Sequence, residues 1–164
     1  MNSVEKVPLE AVRDHENSTG ANVRLGGYDM QLVSPPSEFR VFKATLADAD
    51  TPRLFLLGIT EFAVCTRNQT CRIADLIPED ALRISRVDSF VSGRVDLPSR
   101  QDLALLIVAA EFDSGPMIII DGNHRAMAQY ATWQSMEGMP AFLCIHPNIF
   151  NWNKFVPNMA RVKR

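Results

Sequence analysis

The clearest pattern in the chain is an apolar run at residues 117–120 that ends at five polar or glycine positions, residues 121–125. One methionine and three isoleucines favour a buried strand, because isoleucine is stiff at its first side-chain torsion and packs well on a pleated surface. Helix-forming residues follow from 126 to 137, with Asn123 placed to cap their helix and Gly138 placed to end it. The pattern predicts a strand, a tight turn and a helix.

Strand-like patterns recur in shorter segments. Residues 39–46 alternate apolar and polar side chains and predict a half-buried strand, and three other segments have apolar runs bounded by turn residues. Those three are residues 28–33, 71–77 and 140–146. Residues 53–65 carry two apolar runs, which fit either one central strand or a strand and a short helix divided near Glu61.

Two more helices are predicted. A short one covers residues 9–15. The second starts at Ser99, a suitable cap with Asp102 three positions on, and continues through residues 103–110. Because residues 103–110 are apolar on nearly every face, this helix is expected to be buried. Strands and helices in alternation predict a mixed α/β (α+β) fold, with a small mixed sheet and packed helices.

Composition places the chain among globular proteins of one domain, with or without an extension. Of its 164 residues, 46% are hydrophobic and 22% are charged, and the formal net charge is −2. That charge gives no overall attraction to nucleic acid, although a local basic patch is compatible with it. The longest apolar run, residues 103–110, is far shorter than the roughly 20 residues that span a bilayer. Since residues 1–16 show no secretory pattern, we expect a cytoplasmic protein with reduced cysteines and no membrane part.

The turn between the predicted strand and helix carries the strongest candidate chemistry. The first amides of a helix lack intrahelical partners and carry partial positive charge, so they bind anions. Arg125 adds donors suited to phosphate oxygens, and His124 adds a donor or proton carrier near neutral pH. Gly122 allows a ligand to approach the backbone closely. The alternative is structural, with Asp121 and Asn123 capping the helix and Arg125 in a surface ion pair.

The string Asp-Gly-Asn-His-Arg-Ala-Met-Ala, residues 121–128, resembles the DG-x-HR-xx-A signature of the ParB and sulfiredoxin superfamily. A second segment, residues 72–78, is similar to the opening strand of ParB-type domains, so the resemblance extends over residues 70–147. It implies a ParB/sulfiredoxin-like domain over residues 70–149. Residues 1–69 would then be an N-terminal extension that could complete the sheet, and residues 150–164 a C-terminal tail.

For the turn, the resemblance implies that Gly122, Asn123, His124 and Arg125 hold the phosphates of a nucleotide. The sulfiredoxin reaction is excluded, because Asn123 occupies the place of its reactive cysteine and supplies no thiol. Members of the superfamily include nucleotide-hydrolysing partition proteins, nucleases, a free-serine kinase and sulfinic-acid reductases. The signature therefore specifies the fold better than the reaction.

Three residues outside the turn are candidates for facing the ligand. Arg86 and Asp88 follow the segment that looks like the opening strand, where the resembling families place ligand-facing residues, commonly arginine. Surface ion pairs account for these two residues equally well. Glu61 lies between two apolar runs and is either a solvent-facing residue or a buried acid with a role.

We favour a protein that binds a nucleotide or another phosphorylated ligand and catalyses phosphoryl transfer or hydrolysis. His124 and Arg125 would stabilise charge on the phosphoryl group, and Asp121 would hold Mg²⁺ or orient His124. One alternative is a nuclease or DNA-associated protein, whose metal ions need converging carboxylates such as Asp121, Asp88 and Glu61. The other is a non-catalytic protein-binding module that uses the N-terminal extension.

Overall fold

The computed structural model of the chain describes residues 1–19, 39–93 and 106–151. Its strands are β1 (Asn2–Val7), β2 (Arg40–Thr45), β3 (Leu54–Phe55), β4 (Leu106–Ala110), β5 (Met117–Asp121) and β6 (Pro140–Ile145). Its α-helices are α1 (Leu9–Thr19), α2 (Thr60–Ala63), α3 (Pro78–Ala81), α4 (Ser85–Val91) and α5 (Asn123–Trp133). Short 3₁₀ helices occur at Asp48–Arg53, Arg67–Gln69, Ile73–Asp75 and Ile149–Asn151.

The six strands form one mixed sheet in the order β1-β2-β6-β4-β5-β3. β4 lies inside it, parallel to β6 and antiparallel to β5. β3 adds a short parallel pair to β5, whereas β2 and β1 extend the other side in antiparallel fashion. Three of the six strands, β1, β2 and β3, therefore come from the first 69 residues.

Side chains on the two sheet faces build two separate apolar clusters. In β4, Val108 and Ala110 point into the cluster shared with α5, while Ile107 and Ala109 point into the cluster shared with α1. β5 divides in the same way, because successive residues of a strand face opposite sides. The sheet is thus covered on both faces, and α5 lies on the face that also carries α3 and α4.

The mixed α/β fold predicted from the sequence is confirmed, as are the strands that became β2, β5 and β6 and the first helix, α1. Residues 53–65 follow the two-element interpretation. They contain the short strand β3 and, from Thr60, the helix α2, which carries Glu61.

Two segments differ from the prediction. Residues 106–110 form the strand β4 instead of a buried helix, with all five residues buried between β5 and β6. Residues 71–77 form a 3₁₀ turn, Ile73–Asp75, instead of a strand. Their backbone groups bond to two separate segments, Cys71 O to Leu56 N and Ile77 N to Cys65 O, so no continuous ladder forms.

The central helix is shorter than predicted at its carboxyl end. α5 ends at Trp133, where Gln134 adopts a left-handed conformation with φ of 51° and donates its N–H to Tyr130 O. Gly138 therefore does not end it. The predicted strand at 28–33, the cap formed by Ser99 and Asp102, and the tail from residue 152 lie outside the described residues.

Within the described ranges, no helix combines the length and the apolar character needed to cross a membrane.

Candidate functional site

The turn between β5 and α5 depends on Gly122. Its φ of +86° lies in the left-handed region, which L side chains rarely adopt. A Cβ at this position would lie 2.6 Å from Cδ2 of Leu106 and 2.9 Å from Nη2 of Arg125. The space over the glycine is therefore filled by the protein's own side chains, and Gly122 is the residue that precedes the first turn of α5.

Asn123 ties this turn to a distant loop. Its side-chain Oδ1 accepts a hydrogen bond from the backbone N–H of Leu57 at 3.0 Å, and the residue is only 6% exposed. The predicted capping role is wrong, because Gly122 occupies the cap position and no side chain caps the helix there. Asn123 instead connects α5 to the segment that leads into α2.

His124 faces α2 across the site. Its Nε2 lies 3.4 Å from Oε1 of Glu61, and its ring meets the ring of Phe62 edge-on with centroids 5.2 Å apart. The His124 side chain is 23% exposed and that of Glu61 is 49% exposed. A carboxylate and an aromatic edge thus fix one side of an imidazole that remains accessible to solvent.

Arg125 folds back over the turn and pairs with Asp121. Its Nη2 donates to Asp121 Oδ2 at 3.1 Å, and the two side chains are 15% and 22% exposed. Burial lowers the pKa of the Arg125 guanidinium from its ordinary value, Asp121 opposes that shift, and the positive charge of Arg86 adds to it. Asp121 is therefore the counter-charge of Arg125, and the carboxylate beside His124 is Glu61.

Arg86 belongs to the same neighbourhood as the turn, since α4 packs against α5 and the positive charge of Arg86 lowers the pKa of Arg125. Asp88, two positions further along α4, is half-buried. Residues two apart on a helix do not share a face, so the structure separates the pair that the sequence treated together.

The turn between β5 and α5 does not offer a suitable set of protein ligands for magnesium. The Asp121 carboxylate is engaged by Arg125, and in the described part of the chain no group of three or more histidine, cysteine, aspartate or glutamate side chains is arranged to hold a metal ion. Asp121 as a magnesium ligand therefore does not fit the arrangement. Any magnesium at this turn would be held by ligand phosphates and water.

A cavity of about 580 Å³, which the sequence did not reveal, lies along α4 and α5. Arg125 lies in its wall together with residues of α4, of α5 and of the segment that joins α5 to β6. Trp133, at its rim, is 64% exposed. The sequence signal for it was weak, since Trp133 shares a helical stripe with the inward-facing Ala126 and so looked like a packing residue.

Comparisons with protein-family models, with curated proteins and with solved structures gave no match to this chain.

Proposed function

We propose that the chain binds a nucleotide or another phosphorylated small molecule at the first turn of α5 and catalyses phosphoryl transfer or hydrolysis there. The proposal joins the geometry of the turn to the resemblance of residues 121–128 to the ParB and sulfiredoxin signature. The three cysteines are buried and form no disulfide, which suits a reducing compartment, so we place this activity in the cytoplasm.

The observation that carries the proposal is the contact between His124 and Glu61. The two residues are 63 positions apart, yet the fold brings Nε2 and Oε1 to 3.4 Å beside a helix amino terminus. A carboxylate that accepts from one imidazole nitrogen selects the tautomer and leaves the other nitrogen to handle a proton. A surface ion pair would need neither the edge contact of Phe62 nor this location.

Helix amides and guanidinium donors support an anionic ligand. Two guanidinium groups, those of Arg125 and Arg86, share this neighbourhood with two carboxylates, those of Asp121 and Glu61, so the side chains balance in formal charge. The amino end of α5 adds partial positive charge from its amides. Phosphate oxygens complement this combination, because guanidinium donors and helix amides both match their geometry.

In a hydrolysis, His124 would accept a proton from water through Nδ1 while Nε2–H donates to Glu61. The water oxygen bonds to phosphorus, the bond from phosphorus to the leaving oxygen breaks, and the imidazolium returns its proton to that oxygen. Arg125 would stabilise the charge on the phosphoryl oxygens. Phosphoryl transfer differs only in that an alcohol replaces water.

A thermal-shift screen tests the proposal. The purified protein is heated with nucleoside mono-, di- and triphosphates, each with and without Mg²⁺, and with ribose 5-phosphate. A ligand at about 100 times its dissociation constant should stabilise the native state by roughly 2.7 kcal/mol. We expect a rise in melting temperature with at least one nucleotide, followed by release of phosphate that is lost in His124→Gln. If no phosphate compound raises the melting temperature, the proposal is wrong.

A further inference from the structure

The cavity along α4 and α5 has a lining that the proposed phosphate site does not use. Its volume of about 580 Å³ falls within the range of roughly 300 to 1,000 Å³ that small-molecule sites occupy. The half-buried Phe90 of α4 and Trp133 of α5 supply two aromatic rings, and Val91, Met139 and Pro140 supply aliphatic surface. Most of the lining is therefore apolar, and part of it is aromatic.

The ring of Trp133 is open to solvent. Its residue is 64% exposed, and in the described part of the chain the ring takes part in no aromatic or cation–π contact. The face of an aromatic ring attracts cations, and among the aromatic side chains tryptophan does so best. The indole face is therefore available to a cation that comes from solution.

The charged residues of the lining differ in whether they are paired. Arg125 is already neutralised, because its Nη2 donates to Asp121 Oδ2 at 3.1 Å. Glu137 is exposed, and no cationic side chain pairs with its carboxylate within the described ranges. Arg86, whose positive charge acts on Arg125, does not line the cavity. The charge of the lining that has no counter-charge is therefore negative.

A second carboxylate is held close to the backbone of Glu137. The hydroxyl of Ser135, another residue of the lining, donates to Oδ1 of Asp48 at 2.8 Å and accepts from the backbone N–H of Glu137 at 3.0 Å. Asp48 is exposed and forms no ion pair with the residues that the structure describes. Two carboxylates without a basic partner thus favour positive charge at this part of the cavity.

We propose that this cavity binds a small molecule that carries a quaternary ammonium group. The methyl groups of the ammonium contact the rings of Trp133 and Phe90, and the carboxylate of Glu137 opposes its charge. A quaternary ammonium suits this combination, because its charge is spread over apolar methyl groups that can contact a ring face directly. The pair of Arg125 and Asp121 stays intact, so this site is independent of the one proposed for phosphate.

Choline and its neutral isostere 3,3-dimethylbutan-1-ol test the proposal, because they have the same shape and differ in charge. Each compound is titrated into the nitrogen-15-labelled protein, and binding is followed by NMR at the backbone amide of Gly138, which lies in the lining. We expect choline to bind saturably and the alcohol to bind at least about tenfold more weakly, because the alcohol lacks the charge that the rings and Glu137 attract.

Two variants separate the contributions of the ring and the carboxylate. Trp133→Leu keeps an apolar side chain but removes the ring, so the affinity for choline should fall about fivefold and that for the alcohol less than about twofold. Glu137→Gln should weaken choline about threefold and leave the alcohol unchanged.

Each variant has a matched control outside the lining. Phe112→Leu makes a comparable exchange at a residue that is 52% exposed in the turn between β4 and β5, and Glu79→Gln does so at an exposed position of α3. Both controls should bind choline as the wild type does. Equal affinities for choline and the alcohol, equal affinities for choline in Trp133→Leu and Phe112→Leu, or no saturable shift with choline would each overturn the inference.

The outcome is separable from that of the phosphate site, since choline carries no phosphate. A protein that binds nucleotides but not choline would refute the ammonium site and leave the proposed function intact. A protein that binds choline but no phosphate compound would support the ammonium site and refute the proposed function.

Discussion

The side-chain oxygen of Asn123 accepts a hydrogen bond from the backbone N–H of Leu57 at 3.0 Å, and this bond joins the two segments that bring His124 and Glu61 together. His124 is the next residue after Asn123, and Glu61, the second residue of α2, lies four positions after Leu57. The relative position of the imidazole and the carboxylate therefore depends on a buried amide that touches neither of them.

Asn123→Ala should lower the free energy of unfolding by about 1 to 3 kcal/mol, because the N–H of Leu57 loses its acceptor. Urea denaturation measures this loss. The same variant should weaken the nuclear Overhauser contacts between the His124 and Phe62 rings. Asn123→Asp keeps an acceptor oxygen in place and should preserve those contacts. An alanine variant that retains both wild-type stability and the ring contacts would contradict this role.

Gly122→Ala and Gly138→Ala form a matched pair. Both glycines have positive φ, +86° and +81°, but an added Cβ meets Leu106 and Arg125 at Gly122 and nothing within 4 Å at Gly138. Backbone strain alone should cost Gly138→Ala roughly 1 to 2 kcal/mol. Gly122→Ala should cost at least about 1 kcal/mol more, since packing must also shift. If urea denaturation gives equal losses in the free energy of unfolding for the two variants, the side chains over Gly122 move aside at no cost and the packing argument is wrong.

Glu61→Gln should reduce turnover of the phosphorylated substrate at least about tenfold while changing KM little, because the carboxylate orients His124 and does not touch the ligand. Stability should change by less than about 0.5 kcal/mol, since the Glu61 side chain is 49% exposed. Glu79→Gln, at an exposed position on α3, is the control. If the double variant Glu61→Gln with His124→Gln is about tenfold less active than His124→Gln alone, Glu61 acts independently of His124.

Stability should fall as the pH rises above about 8.5, the ordinary pKa of a cysteine in an unfolded chain. Burial, followed by the charge of Glu16, raises the pKa of the Cys144 thiol far above that value, and burial also raises the pKa of Cys65. Above pH 8.5 the unfolded chain releases thiol protons that the native state retains, so the free energy of unfolding falls, by up to about 1.4 kcal/mol per pH unit for the fully buried Cys144.

Urea denaturation under reducing conditions from pH 7 to pH 10 measures this effect. In Cys144→Ala the fall should be smaller than in the wild type by the contribution of one thiol. Identical pH dependence in the two proteins would mean that Cys144 ionises as easily in the native state as in the unfolded chain.

The sequence predicted β2, β5 and β6 because each keeps a local signature, and it failed at β4 for a physical reason. β4 pairs on both sides and is buried on both faces, so all five of its residues are apolar and the alternation that marks a strand is absent. A fully apolar run fits a buried helix equally well. The strand predicted at residues 71–77 was wrong for a different reason. The apolar residues of this segment do face the core, but they do so from a turn.

Only the part of the site that is local in sequence, the turn between β5 and α5, was predicted as a unit. His124 and Arg125 were identified from the turn and from helix electrostatics, and Glu61 was named as a candidate on its own. Nothing local links Glu61 to His124, because their contact depends on how α2 packs beside α5. The cavity escaped prediction for the same reason, since its walls come from α4, α5 and the segment before β6.

The strand order also constrains when the protein can fold during synthesis. β2 pairs along its whole length with β6, from Arg40 opposite Ile145 to Thr45 opposite Pro140. This edge of β2 therefore cannot be paired until Ile145 has been synthesised. At about 5 to 20 residues per second, the intervening stretch of about 100 residues takes the ribosome roughly 5 to 20 s to produce. Throughout that interval the edge of β2 that will pair with β6 has no partner, and an unpaired strand edge is a site at which a nascent chain can pair with other chains.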